Sequence, residues 1–163
     1  MKELQLYRHA KAKKASPGMM DRERQLSGEG ELQARYIGGL LHDLDFRPDV
    51  VLASTAARAL STAKITMHAS ACKARIVELP HLFDAEVDTY VESIRSNGGE
   101  SDRIMVVGHN PVIEEFVERL IGRHIELKTG YLARVLIDIA EWKSFTLDGA
   151  PAFELAALLV PPR

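Results

Sequence analysis

The sequence has little cysteine, few aromatic residues and no long apolar run. Its 163 residues include one cysteine, Cys72, which cannot form a disulfide within the chain and gives no sign of an oxidising compartment. No apolar run approaches the roughly 20 residues that a membrane-spanning helix needs, and the first residues, MKELQLYRH, lack the apolar segment of a signal peptide. These absences predict a cytoplasmic protein.

The sequence also lacks an excess of positive charge. Its formal net charge is -2 at pH 7, which argues against general nucleic-acid binding, because such proteins neutralise phosphates with a basic excess. A content of 46% hydrophobic and 27% charged residues is typical of a folded globular protein. We therefore expect residues 1–163 to form a single domain in which any basic site is local.

Short apolar runs alternate with segments of helical periodicity through most of the chain. The runs predict strands at residues 3–8, 49–54, 74–79 and 103–109, and helices are predicted after Ser27, around 56–71, within 85–97 and from Pro111 to Gly122. Residues 131–139, 142–147 and 152–160 read as strands joined by turns such as Asp148-Gly149. This order predicts a three-layer α/β/α domain with a mostly parallel central sheet, extended by C-terminal strands that can include an antiparallel edge.

Arginine and histidine side chains follow three of the predicted strands. Ligands of open α/β sheets bind at the carboxyl ends of the strands, so these residues should meet at one edge. They are Arg8 and His9 after the first strand, Ser54 and Arg58 after the second, and His109 and Asn110 after the fourth. Guanidinium groups bind tetrahedral oxyanions bidentately, and helix N-termini favour anions, so the set predicts a phosphoryl site.

Three motifs resemble those of the histidine phosphatase superfamily, the phosphoglycerate-mutase-like enzymes. LYRHAKA at the end of the first strand is similar to the Arg-His signature of that family. VLASTAARALSTA is similar to its Ser-x-x-x-Arg-Ala-x-x-Thr element, and VVGHNP to its Gly-His element, in the same order along the chain. The short length and the segment LKTGYLARV resemble the phosphohistidine phosphatases of the SixA type.

The resemblance implies a role for each matched residue. His9 would be the nucleophile and would form a phosphohistidine intermediate that water hydrolyses. Arg8 and Arg58 would bind the phosphoryl oxygens, and His109 would donate a further hydrogen bond to them. Asn110 and Ser54 would bind the substrate or orient these groups. No cofactor and no metal are implied, and the substrate would be a phosphorylated protein, such as a histidine phosphotransfer domain, or a small phosphate ester.

The general acid is the point at which the chain departs from the family pattern. Phosphomonoesterases and mutases of the superfamily use a carboxylate after the third strand, where this chain has Glu78, Asp84 and Glu86 in no clear motif. An alkoxide leaving group needs a proton in the transition state, a contribution of ~10²–10⁴-fold, whereas the imidazole released from phosphohistidine is protonated near neutral pH. The sequence therefore favours a protein phosphohistidine phosphatase.

Several alternatives stay open. The chain could be a small-molecule phosphomonoesterase or mutase with Asp84 or Glu86 as acid, or a phosphate-binding module without turnover. A metal site on His9, His109 and Asp84 is a further alternative, although two neighbouring arginines would repel a cation. Among the remaining histidines, His81 is the one that we expect nearest the rim of the site. Lys11, Lys13 and Lys14 follow the site on an exposed loop, where they could steer an acidic or phosphorylated partner.

Overall fold

The computed structural model describes residues 1–148 and 153–163, and six strands in these residues form one sheet. The strands are β1 Lys2–Arg8, β2 Val50–Ala53, β3 Arg75–Glu78, β4 Arg103–Gly108, β5 Leu132–Ile137 and β6 Glu154–Leu159. Their order in the sheet is β3-β2-β4-β1-β5-β6. The first four strands are parallel, while β5 pairs antiparallel with β1 and β6 antiparallel with β5. The predicted mostly parallel sheet with an antiparallel edge is confirmed.

Helices cover both faces of this sheet. They are α1 Gly28–Asp43, α2 Ala57–Ala69, α3 Val87–Asn97 and α4 Val112–Ile121. Side chains alternate between the faces along each strand: Leu4 and Leu6 of β1 pack in the core that includes α3 and α4, and Tyr7 packs in the core that includes α1 and α2. The predicted three-layer α/β/α arrangement is confirmed. Within the described residues, no helix has both the length and the apolar character needed to cross a membrane.

The helix boundaries follow local signals in the sequence. The Ser27 side chain accepts a hydrogen bond from the Gly30 amide at 3.0 Å and so caps α1, as predicted. Pro111 precedes the first residue of α4 rather than occupying it, one position from the prediction. Gly122 ends α4 with a φ of 77°, a left-handed conformation that glycine adopts without a steric penalty.

The predicted strand at residues 142–147 is wrong, because Trp142–Ser144 form a short 3-10 helix. Trp142 and Phe145 are both fully buried, and their spacing of three residues places both rings on one side of a helical turn. The indole nitrogen of Trp142 also donates a hydrogen bond of 2.6 Å to the carbonyl oxygen of Ser101. The predicted turn at Asp148-Gly149 lies partly outside the described residues, since Gly149 is not among them.

Candidate active site

Neighbouring parallel strands bring His9 and His109 side by side. Arg8, the last residue of β1, is aligned with Gly108, the last residue of β4, so the two histidines leave the sheet at the same edge. Their ring centroids are 5.2 Å apart. β2 pairs with β4 on the other side, which places Ser54 and the start of α2, with Arg58, beside His109. The structure thus brings together the residues predicted at the strand ends.

His9 is held as one neutral tautomer. Its Nδ1 atom lies 2.8 Å from the carbonyl oxygen of Ala10, and since a carbonyl only accepts, Nδ1 carries the hydrogen. The lone pair is then on Nε2, which accepts a hydrogen bond of 3.3 Å from Nε of Arg58. Burial lowers the pKa of His9 to about 4, and the positive charges of Arg58 and Arg8 act in the same direction. The hydrogen bond to the Ala10 carbonyl oxygen opposes this shift. His9 is therefore unprotonated at Nε2 near pH 7.

Hydrogen bonds from Ser54 and Tyr90 fix His109. The Ser54 hydroxyl accepts from the Ala56 amide at 3.2 Å, and its oxygen lies within hydrogen-bond distance, 2.9 Å, of Nε2 of His109. Nδ1 of His109 is buried and has no hydrogen-bond partner among the described residues. The Tyr90 hydroxyl accepts from the His109 amide at 3.4 Å. Burial, and then the charge that His9 carries once it is protonated in acid, lower the pKa of His109 to about 3.

Asp21 binds the terminal nitrogens of Arg58. The Arg58 side chain is buried, and its Nη1 and Nη2 atoms donate to the Asp21 carbonyl oxygen at 2.8 Å and to the Asp21 carboxylate at 2.9 Å. Arg24 also binds this carboxylate, at 3.0 Å. The hydrogen bonds from Arg24 and Arg58 lower the pKa of Asp21. Sequence reasoning missed Asp21, which lies in a polar loop after β1 and belongs to no motif.

Arg8 and Asn110 meet at one backbone oxygen. Nη1 of Arg8 and the side-chain nitrogen of Asn110 both donate to the Leu127 carbonyl oxygen, each at 2.9 Å, and Asn110 donates a second bond to Glu114 at 2.6 Å. Nε of Arg8 and Oδ1 of Asn110 are buried without a partner among the described residues, as is Nδ1 of His109. Polar atoms in this condition are rare in native proteins, and these three are available to a polar ligand or to ordered water.

Thr62 and Tyr90 form hydrogen bonds to the backbone of the site residues or their neighbours, and sequence reasoning gave neither residue a role. The Thr62 hydroxyl accepts from the Ala10 amide at 3.0 Å and donates to the Arg58 carbonyl oxygen at 2.7 Å, which joins the loop after His9 to α2. Thr62 closes the second motif, so its position in that motif was a signal. Tyr90 is a buried residue of α3 that contacts the end of β4. A sequence pattern predicts only that such a residue lies in the core.

Two cavities open on this group of side chains, and both are lined by Arg58, His109 and Asn110. The first has a volume of about 460 Å³ and is also lined by Asp84 and Glu86, the predicted acid candidates, both of which are exposed. The second has a volume of about 450 Å³ and is also lined by Arg8 and His9.

Two other residues considered in the sequence lie elsewhere. Glu78, the last residue of β3, lines neither cavity. His81 lines a separate cavity and lies 3.0 Å from the Ser93 hydroxyl, so its expected place at the rim is wrong. In the part of the chain that the structure describes, no group of three or more histidine, cysteine, aspartate or glutamate residues is arranged to hold a metal ion.

Comparison with known proteins finds similar proteins that align with nearly the whole chain, although no protein-family model matches it. A solved structure from Agrobacterium tumefaciens, described as a candidate phosphohistidine phosphatase SixA, is 30% identical, with 98% of each chain covered and a TM-score of 0.83. A second structure so described, from Nakamurella multipartitia, is 24% identical over 98% of this chain and 96% of that one, with a TM-score of 0.84. An uncharacterized chloroplastic protein of Arabidopsis thaliana is 29% identical over 96% of this chain and 76% of its own length.

Proposed function

The chain belongs to the histidine phosphatase superfamily and is SixA-like, and from this premise we propose that it removes phosphoryl groups from phosphohistidine in a protein, such as a histidine phosphotransfer partner. One observation carries the proposal: Nε2 of His9 is unprotonated, buried and 3.3 Å from a guanidinium N–H of Arg58. A neutral imidazole beside fixed positive charge is suited to attack an anionic phosphorus centre. The expected cytoplasmic location stays a prediction.

The reaction proceeds in two displacements. In the first, the lone pair of Nε2 forms a bond to phosphorus while the bond from phosphorus to the substrate imidazole breaks, and that imidazole takes up a proton from solvent. The Nδ1 hydrogen of His9 stays in place, and the positive charge that develops on the ring is stabilised by the Ala10 carbonyl oxygen at 2.8 Å. In the second, water attacks phosphorus, inorganic phosphate leaves, and the electron pair returns to Nε2.

The donors around His9 stabilise charge on the phosphoryl oxygens. Nε of Arg8 and Nδ1 of His109 are buried nitrogens without a partner among the described residues, and we propose that each donates to an oxygen of the phosphoryl group. Arg58 contributes its Nε atom. Ser54 has no exposed surface and acts by orienting His109, while Asn110 lines both cavities and can contact the substrate. With two guanidinium groups neutralising the oxygens, we propose that turnover is metal-independent and survives chelation.

The choice of a phosphohistidine substrate depends on whether the leaving group needs a positioned general acid. Asp84 and Glu86 line the cavity, but both are exposed, and the described residues show no hydrogen bond or ion pair that fixes either carboxylate. An alkoxide depends on a positioned acid, whereas an imidazole is protonated by solvent near neutral pH. A site with loosely held carboxylates is better suited to a P–N bond than to a P–O bond.

The test compares rates and detects the intermediate. We expect kcat/KM for a phosphohistidine protein to exceed that for common phosphate esters, including p-nitrophenyl phosphate, by at least tenfold. After an alkaline quench, labelled enzyme should carry an acid-labile, base-stable phosphoryl group that disappears in His9→Asn and persists in His68→Asn, a change of an exposed histidine near the far end of α2. Faster turnover of esters, or a phosphoenzyme that survives in His9→Asn, would contradict the proposal.

A second candidate function is favoured by the position of the two carboxylates in the cavity. If Asp84 or Glu86 is a general acid, the chain is a small-molecule phosphomonoesterase or mutase. Asp84→Asn or Glu86→Gln should then reduce turnover of esters by ~10²-fold or more while leaving phosphohistidine turnover nearly unchanged. A phosphate-binding module would release no phosphate from any of these substrates, and the buried neutral His9 has no evident purpose in such a module.

A further inference from the structure

The two sides of the catalytic cleft carry opposite charge. Besides Asp21, the first cavity is lined by four exposed carboxylates, here called the acidic mouth: Asp84, Glu86, Asp88 and Glu115. The second cavity has no carboxylate in its lining, and besides Arg58 it is bordered by four cations, here called the basic mouth: Arg8, Lys11, Arg24 and Arg163. The cleft therefore has a positive and a negative side.

Ion pairs do not cancel the negative charge of the acidic mouth. Of its four carboxylates, Asp88 alone forms an ion pair among the described residues, with Arg119 at 3.8 Å. Asp21 also reaches this cavity, but its charge is matched by Arg24 and Arg58. Arg58 and Arg119 also line this cavity, and its five carboxylates outnumber these two cations, which leaves this side negative.

The basic mouth is likewise only partly neutralised. Lys11 binds Glu29 at 2.8 Å and Arg24 binds Asp21 at 3.0 Å. Arg8 and Arg163 have no carboxylate partner in the part of the chain that the structure describes, and Arg163 donates only to the Thr129 carbonyl oxygen, at 3.1 Å. Burial lowers the pKa of Arg8, the nearby Glu114 carboxylate opposes this shift, and the charge of Arg163 adds to it.

The mouths meet at the reaction centre. Arg58, His109 and Asn110 line both cavities, so a phosphoryl group bound beside His9 lies on the boundary between them. A protein segment that extends from that group into both cavities would pass carboxylates on one side and cations on the other.

Building on the proposed function, we propose that the cleft selects a protein segment by the polarity of its charges: basic side chains on one side of the phosphohistidine, acidic side chains on the other. In a helical segment, residues three and four positions before and after the phosphohistidine lie on the same face as it does, so these positions carry the charges. Complementary fields of this kind raise association rates by ~10–10³-fold at low ionic strength and weaken as salt screens them.

The experiment uses four peptide probes, each phosphorylated by phosphoramidate at a single histidine. One has basic residues before and acidic residues after the phosphohistidine, one has the reverse order, one is acidic on both sides and one is basic on both sides. We expect one of the two mixed peptides to have the highest kcat/KM, by about tenfold over both uniform peptides at 10 mM salt, and the differences to shrink towards unity at 1 M salt.

Charge-reversed variants assign the preference to the two mouths. Glu115→Lys and Arg163→Glu should each reduce the preference for the better mixed peptide, and the double variant should favour the opposite one. Matched controls are Glu100→Lys and Lys73→Glu, at exposed positions before β4 and β3, at the other edge of the sheet, and these should keep the original ranking. Each rate is divided by the rate of the same variant on phosphoramidate, which removes effects on chemistry.

The outcomes separate this inference from the function on which it rests. Equal turnover of all four peptides, or a ranking that Glu115→Lys and Arg163→Glu leave intact, would overturn the polarity while phosphohistidine phosphatase activity stands. Turnover of p-nitrophenyl phosphate with no turnover of any peptide would overturn the proposed function and this inference with it.

Discussion

Asp21 accepts one hydrogen bond from each terminal nitrogen of Arg58, through its backbone carbonyl oxygen at 2.8 Å and through its carboxylate at 2.9 Å. The Nε–H group of Arg58 is directed at His9, at 3.3 Å from Nε2. The carboxylate thus holds a buried guanidinium in place and at the same time puts a negative charge close to the proposed phosphoryl site. These two effects have opposite consequences for the substrate.

The first prediction separates the charge of Asp21 from its hydrogen bond. Asp21→Asn keeps an oxygen that can accept from Nη2 but removes the negative charge. We expect inorganic phosphate, as a competitive inhibitor, to bind about fivefold more tightly, since a unit charge a few ångströms away is worth ~1 kcal/mol even in a water-like dielectric. The control Asp45→Asn removes an exposed carboxylate that pairs with Arg47 at 3.0 Å and should leave the inhibition constant unchanged. Weaker phosphate binding in Asp21→Asn would show that the position of Arg58 depends on the charge.

The second prediction concerns the protonation of His9. Because burial and neighbouring arginines lower its pKa to about 4, His9 should remain neutral as the pH falls from 7 to 5 and should take up a proton only near pH 4. A histidine of ordinary pKa would be about nine-tenths protonated at pH 5.5. The measurement is an NMR titration of the His9 ring in the free enzyme, which avoids ionisation of the substrate. A midpoint near 6.5 would show that the ring is solvated, and Arg58→Gln should move the midpoint upward.

The positions of His9, Arg58 and His109 could be predicted because they depend on hydrophobic patterning. Buried strands such as β4 are continuous apolar runs, and parallel strands align their carboxyl ends whatever the loops do. The side chain that follows each strand therefore has a predictable place. The same reasoning could not find Asp21, because its contact with Arg58 depends on the path of a polar loop 37 residues away in sequence.

Errors of sequence reasoning occurred where a local pattern fits two structures. The segment WKSFTL contains aromatic and β-branched residues, which favour strands, yet Trp142 and Phe145 are spaced for one helical turn and both fill the core. His81 shows a similar limit: it follows the strand β3, but a short 3-10 helix, Pro80–Leu82, turns it towards Ser93 rather than towards His9.

The third prediction tests Ser54 as a positioning residue for His109. Ser54→Ala removes the hydroxyl that lies 2.9 Å from Nε2 of His109, so the ring can rotate or change tautomer, and Nδ1, the atom that we propose binds the phosphoryl group, is no longer fixed. We expect kcat to fall about tenfold with little change in KM, and stability to fall by ~1 kcal/mol. Ser70→Ala is the matched control, because Ser70 is equally buried and donates to the Met67 carbonyl oxygen away from the site. It should have a similar effect on stability and none on kcat, and an equal loss of kcat in both variants would assign the effect of Ser54 to the fold alone.

The last prediction concerns the close packing of β4 against Tyr90. A Cβ atom added at Gly108 would collide with the Tyr90 hydroxyl and lie 2.9 Å from a ring carbon, so Gly108→Ala must displace either the ring or the strand end that precedes His109. We expect a loss of ~1–3 kcal/mol in urea unfolding, together with a reduced kcat. Gly39→Ala is the control: Gly39 lies in the helix α1, a Cβ added there meets nothing within 4 Å, and the change should stabilise the protein by ~0.5–1 kcal/mol.

Tyr90→Phe removes the atom with the worst overlap. The double variant Gly108→Ala with Tyr90→Phe should therefore be more stable, by more than ~0.5 kcal/mol, than the sum of the two single changes in stability predicts. Strict additivity would show that the strand end, rather than the ring, moves to admit the methyl group.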